Sequence, residues 1–166
     1  LMNRNYTKEG YLELIRRLRE ASPHIAVTTD FIVGFPGETE EDFEETMDLI
    51  DKVRFDSAFT FIYSVRRGTP AADFAGQVPE EDKHRRFNRL VERLNAIAAE
   101  KNSAYRGRIE RVLVEGPAKT GEGMMAGRTD SGKLVNFKGL QEEAGEMLDV
   151  KITEAKTFSL LGEAIR

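Results

Sequence analysis

The chain has 166 residues, 40% hydrophobic and 33% charged, which describes a water-soluble globular protein of one medium domain or one and a half small ones. A net charge of −4 argues against nucleic-acid binding by bulk charge, and the absence of cysteine excludes disulfides, thiolate catalysis and cysteine-ligated metal or iron–sulfur centres within these residues. No apolar run approaches the roughly 20 residues that span a bilayer, so no membrane contact is expected. The first residues are polar and lead into a helix, which is not a signal-peptide pattern. Leu1 is not an initiator methionine, and the chain is expected to be a piece of something longer.

From Asn3 to Thr7 the sequence reads as a lead-in, with Thr7 as a helix N-cap. Tyr11, Leu14, Ile15 and Leu18 then recur at helical spacing, arginines gather at the C-terminal end, and Pro23 stops the helix. Ile25 to Val33 is apolar or β-branched without clean alternation, which predicts a strand buried on both faces of a parallel sheet. Asp30 interrupts it, either as a satisfied structural carboxylate or as a polar group aimed into the ligand end of a barrel. The strand ends in Gly34-Phe35-Pro36-Gly37-Glu38-Thr39, and a helix follows at once. Ligands of α/β folds sit at such strand-to-helix joints.

Thr39 and Asp42 have capping-box spacing, Glu40, Glu41 and Asp42 suit the positive first turn, and Phe43, Met47, Ile50 and Val53 form the inner stripe. Asp56 to Tyr63 is a second strand. Residues 64–77 form a loop longer than most connections, hence a candidate functional loop. A long helix from about Pro79 to Tyr105 buries Phe87, Leu90, Val91, Leu94, Ile97 and Ala98. Lys83, Arg85, Arg86, Arg89 and Arg93 in its first half are either a solvated face or a phosphate-facing stripe. His24 and His84 lie far apart and read as surface residues.

After Gly107 helical periodicity stops, and short β-like runs cover 111–115, 124–128, 134–137, 148–153 and 156–161, punctuated by glycines. Asp130-Ser131-Gly132 reads as a hairpin turn, and five short strands predict a small antiparallel barrel. The domain boundary falls at about 105. Residues 1–105 carry 15 basic and 19 acidic side chains, and residues 106–166 carry 10 of each, so neutrality gives no direction to a basic face.

Asp30-Phe31-Ile32-Val33-Gly34-Phe35-Pro36-Gly37-Glu38-Thr39 resembles the fifth strand and following turn of a radical S-adenosylmethionine (SAM) barrel. Met2-Asn3-Arg4-Asn5-Tyr6-Thr7 and Tyr63-Ser64-Val65-Arg66-Arg67-Gly68-Thr69-Pro70-Ala71-Ala72 narrow the resemblance to the methylthiotransferases. Val112 to Gly116, Gly127 to Asp130, Leu134 to Phe137 and Leu161-Gly162-Glu163 are similar to the TRAM domain that closes those enzymes. Phe59 to Ser64, with Arg66 and Gly68-Thr69-Pro70, is most similar to the MiaB-type branch, which acts on isopentenyladenosine in tRNA.

The resemblance implies an α/β fold, helix–strand–helix–strand–helix, as the C-terminal part (1–105) of a TIM-like radical SAM barrel, followed by an OB-like TRAM barrel (106–166). It implies a cytoplasmic enzyme that methylthiolates C2 of N6-isopentenyladenosine beside the tRNA anticodon, using SAM and two 4Fe-4S clusters. A 5′-deoxyadenosyl radical takes hydrogen from C2, and sulfur is inserted with a methyl group from a second SAM. The family's cluster-binding cysteines are absent here, so neither cluster nor SAM is expected to bind stably to this chain, which is expected to be inactive alone and to have no catalytic or metal-ligating residue of its own.

By resemblance, Ile32, Val33, Gly34 and Gly37 would wall the SAM adenine, with Tyr63 and Ser64 beside it. Arg66 and, more weakly, Arg4 would take a carboxylate or phosphate, although Arg66 also reads as a plain surface arginine. In the small barrel Arg111, Lys119, Arg128, Lys133 and Lys138 would contact RNA phosphates, and Phe137 is either a stacking surface or a core residue. Two alternatives stand beside this reading: a methylthiotransferase acting on threonylcarbamoyl-adenosine in tRNA, and a non-catalytic RNA-binding module. A partial barrel leaves a strand edge unpaired, and self-association is expected to follow.

Overall fold

The computed structural model describes residue 2, residues 4–119 and residues 121–165, so Asn3 of the lead-in lies outside the described residues. It divides into two compact units, Leu1–Asn95 and Ala96–Arg166.

In the first unit α1 (Lys8–Ala21) is capped by Thr7, whose hydroxyl accepts from the Gly10 N–H. Ile15 is its buried residue, whereas Leu14 and Leu18 of the expected stripe are exposed. β1 (Thr28–Val33) pairs in parallel with β2 (Ser57–Ile62), with Asp30 opposite Phe59 and Ile32 opposite Phe61. Between them α2 (Glu40–Val53) starts with the capping box: Thr39 accepts from the Asp42 N–H at 3.2 Å, and Asp42 accepts from the Thr39 N–H at 3.0 Å. Phe43, Ile50 and Val53 of α2 are buried as its periodicity required. The β–α–β order with parallel pairing is the unit from which barrels are wound.

The expectation that β1 is buried on both faces fails, and the strand starts at Thr28 rather than Ile25. One face alternates out of the core: Thr28, Asp30 and Ile32 on β1, Ser57, Phe59 and Phe61 on β2. Phe59 is 72% exposed, Phe61 52% and Ile32 41%. Side chains alternate across a sheet, so apolar residues on both faces bury only when both faces are covered, and this two-stranded sheet is covered on one.

α3 spans Glu80–Ser103, and Leu90, Leu94, Ile97 and Ala98 are buried along it. The division between units falls within this helix, ten residues before the change of periodicity read at 105.

The second unit is a closed barrel of β3 (Ile109–Pro117), β4 (Met124–Thr129), β5 (Leu134–Lys138), β6 (Met147–Ala155) and β7 (Leu160–Ala164), in the order β3-β4-β5-β7-β6. Four pairings are antiparallel, and β5–β7 is parallel. The last strand runs 160–164, not 156–161, because Lys156 to Ser159 form the turn that precedes it, closed by the Lys156 N–H donating to the Ser159 carbonyl. The Asp130-Ser131-Gly132 hairpin forms as read, with Gly132 donating to Thr129. Val112, Val114, Met125, Val135, Phe137, Val150, Ile152 and Leu160 fill the interior. Gly127 lies so close to β3 that an added Cβ would stand 2.4 Å from the Leu113 carbonyl oxygen. Shifts of register between Val114 and Gly116 and between Ile152 and Glu154 bend the two longest strands towards closure.

Candidate functional site

The joint between β1 and α2 is built from a network that spans three elements of the first unit. Both oxygens of the Glu38 carboxylate accept from the Gly34 N–H at 3.1 Å, and Glu38 pairs with Arg86 of α3 at 2.8 Å. Their side chains are 14% and 7% exposed. Arg86 also donates to the Glu38 carbonyl and to Glu40, both at 3.1 Å. Lys83, one turn earlier, is buried and pairs with Glu80 at 2.7 Å. Gly34 has φ +75°, and a Cβ there would stand 2.4 Å from Lys83 Cγ. Its glycine therefore serves a left-handed turn and the passage of the lysine stem at once.

The loop after β2 is pinned to the same turn. Gly37 donates to the Gly76 carbonyl at 2.8 Å, and Phe35 meets Phe74 and Tyr63 edge-on, with ring centres 6.2 and 5.2 Å apart. Thr69 donates its hydroxyl to the Arg66 carbonyl, and Gln77 donates its amide to the carbonyls of Ala71 and Phe74. A loop longer than a typical connection is thus held at several points.

Of the expected SAM-pocket residues, Val33, Gly34, Gly37 and Tyr63 gather at this joint: the Tyr63 N–H donates to the Val33 carbonyl at 2.8 Å. The Val33 side chain is buried on the face opposite Ile32, so it offers backbone rather than a wall. The Tyr63 hydroxyl is buried without a hydrogen-bond partner, and Lys83 Nζ lies 5.8 Å from its ring centre. Ser64 and Arg66 are exposed just beyond β2. Ile32 and Arg4 come together elsewhere, lining with Asp30, Phe61, Tyr6 and Tyr11 a cavity of about 370 Å³ beside β1. Burial there pushes the Tyr11 hydroxyl above its ordinary pKa.

The basic run on α3 is not a phosphate-facing stripe, because its charges are spent on the acidic start of α2 and on the helix itself. Arg85 grips Glu40 with two bonds of 3.0 Å, Arg89 pairs with Glu40 and Glu44, and Arg93 pairs with Asp51. Hydrogen bonds from Arg85, then Arg86, hold the Glu40 carboxyl down to about 2. The sequence reading missed Glu38, Lys83 and Arg86 as the parts that fix the turn. A signal existed: positions 83, 86, 90, 94 and 97 continue one helical stripe, so two cations fell on the face destined for burial.

In the barrel Arg111, Lys119, Arg128 and Lys138 are exposed. Arg128 bonds the Glu115 carboxylate at 3.2 Å and the Gly132 carbonyl at 3.0 Å. Lys133 is buried beside the hairpin, which leaves little of its side chain for phosphate contact, and its backbone N–H donates to the Thr129 hydroxyl. Phe137 is wholly buried in the barrel core and has no face left for stacking a base, since alternation along β5 points it inward beside Val135. Burial raises the pKa of Glu110. Among the described residues no group of three or more histidine or carboxylate side chains could hold a metal ion.

Comparison with known proteins gives these sites a context. The TRAM domain model matches residues 103–165, and the radical SAM superfamily model matches residues 1–50. A Clostridium botulinum protein named tRNA-2-methylthio-N(6)-dimethylallyladenosine synthase is 58% identical over 99% of this chain, which covers 36% of the relative. Proteins of the same name from Clostridium novyi and Alkaliphilus oremlandii are 54% and 51% identical over 99% of the chain, covering 36% and 35% of their lengths. The chain thus spans about a third of the curated relatives it matches. It is homologous, nearly end to end, with that third of proteins named tRNA-2-methylthio-N(6)-dimethylallyladenosine synthase, and the radical SAM superfamily and TRAM models match its two ends.

Proposed function

We propose that these residues form part of a cytoplasmic radical SAM methylthiotransferase that modifies C2 of N6-isopentenyladenosine next to the tRNA anticodon, contributing part of the SAM pocket and a tRNA-gripping barrel. The observation that carries this reading is the 58% identity over 99% of the chain. The donor set here does not fit an iron–sulfur cluster, since the sequence has no cysteine, and no step is assigned to a cluster on these residues.

The joint of β1 and α2 fits SAM in part. Ser64 and Arg66 are exposed there just beyond β2, and Ile32 offers an exposed apolar side chain on the neighbouring open face of β1, towards the cavity it lines with Arg4. Bound SAM would supply the methyl group and, on reductive cleavage, the radical that activates adenine C2. Ile32 would wall the adenine from the open face of β1, Tyr63 and Ser64 would stand beside it at the end of β2, and Arg66 would hold the carboxylate. Gly34 and Gly37 keep the turn in place, their N–H groups already satisfied by Glu38 and Gly76. Arg4, in the cavity beside β1, would hold the same carboxylate or the RNA backbone. On the barrel Arg111, Lys119, Arg128 and Lys138 would neutralise tRNA phosphates. The 166 residues alone would bind RNA and turn nothing over.

The test is nucleoside analysis of tRNA from a methylthiolation-deficient strain carrying the whole reading frame. The 2-methylthio derivative of isopentenyladenosine is expected. The threonylcarbamoyl-adenosine derivative in its place would select the other branch, and tRNA binding without either product would select the non-catalytic module.

A further inference from the structure

The barrel's strand order supplies a placement that the strand residues alone did not. Numbered within the barrel, its strands run 1-2-3-5-4 and close on 1, with strands 3 and 5 parallel, which is the OB arrangement. OB barrels take oligonucleotides across strands 2 and 3 and between the connections 1–2 and 4–5. Here the 4–5 connection is the turn Lys156-Thr157-Phe158-Ser159 between β6 and β7.

Residues 96–166 contain three aromatic side chains: Tyr105, Phe137 and Phe158. Phe137 is core. Tyr105 packs against the barrel, its hydroxyl 3.0 Å from Ser131 Oγ and its ring under Arg108. Phe158 is 74% exposed, although the turn that carries it is well held. Buried Asn102 donates its amide to the carbonyls of Lys156 at 2.8 Å and Thr157 at 2.9 Å, and Lys156 N–H donates to Ser159. The ring therefore sits on a clamped backbone, next to the exposed Lys156. Leu160 pairs with Val135, which sets the turn at the end of β5 where Arg128, opposite Leu134, faces outward.

An exposed ring on a held turn, next to Lys156 at the end of an OB face, matches how unpaired bases are read, by stacking on an aromatic plane while cations take the phosphates. We propose that Phe158 is the base-stacking residue of this domain and that its ligand is a single-stranded or loop segment of RNA. The proposal rests on the RNA-binding reading above.

The experiment measures binding of the 166-residue chain to a fluorescein-labelled RNA hairpin with an adenine-rich loop, for wild type, Phe158→Ala, Phe158→Leu and Phe158→Trp. Phe158→Ala and Phe158→Leu are each expected to weaken binding about tenfold or more. Phe158→Trp is expected to hold wild-type affinity, and its indole emission, the sole tryptophan signal in the chain, to be quenched on adding RNA. Salt-dependent wild-type binding with no loss in Phe158→Ala and no quenching in Phe158→Trp would overturn the stacking role and leave the RNA reading standing. No binding by wild type would overturn both. Full affinity in Phe158→Leu, or loss of self-association in Phe158→Ala with RNA affinity unchanged, would assign the ring to an apolar or protein contact instead.

Discussion

Replacing Arg86 with methionine tests the network at the candidate site most directly. Methionine keeps the apolar stem that lies by the Phe43 ring, 5.9 Å from the guanidinium carbon, and removes the charge. Glu40 retains Arg85 and Arg89, so little of the cost falls there. Glu38 retains the Gly34 N–H as a donor and has 14% of its side chain in water. Stranding a buried charge costs about 3–5 kcal/mol. With Gly34 and some water still in place, the lower end applies, and the expected loss is about 3 kcal/mol. Arg86→Met combined with Glu38→Gln removes the stranded charge, so the double variant should be more stable than the sum of the single losses by about 1–2 kcal/mol. Urea unfolding followed by far-UV circular dichroism reads these changes, because α1, α2 and most of α3 belong to the first unit. Amide exchange at Gly34 gives the local readout and should quicken in either single variant. A loss under about 1 kcal/mol in Arg86→Met, or strict additivity in the double variant, would refute the account of the turn.

Gly34→Ala places a Cβ at φ +75° and against Lys83, so it should lose about 1–2 kcal/mol or more by the same unfolding assay. Glu40 has its pKa lowered from 4.5 to about 2, so its pairing stabilises the folded chain above pH 4.5 and is lost as pH falls towards 2. Acid titration of stability in Glu40→Gln should accordingly be flatter than wild type across that window. The uncovered face of β1 and β2 predicts concentration-dependent association of the 166-residue chain, reduced by Phe59→Glu or Phe61→Glu; light scattering showing a wild-type monomer at high concentration would refute this.

Local signals proved the most legible. Thr7 and Thr39 cap their helices, and the Asp130-Ser131-Gly132 turn closes its hairpin, because each needs only a few neighbouring residues. The stripe of α3 was read from its apolar members alone. Lys83 and Arg86 share its phase, but whether a cation on a stripe is buried depends on an acid from another element, and Glu38 stands 48 positions from Arg86 in the chain. Phe137 and Phe158 were equally apolar on paper. Strand parity put one in the core, and the place of the β6–β7 turn put the other in water.

The sequence by itself determined the kinds of element, their order, the change of architecture after α3 and the kinship, since these follow from periodicity, caps, turn residues and motif. Tertiary structure alone decided which side of each strand meets water and which charges are spent inside the fold. Those outcomes depend on register, barrel closure and partners distant in the chain. They turn the Gly34–Gly37 joint from a ligand-facing glycine loop into one held from behind by Glu38, Lys83 and Arg86.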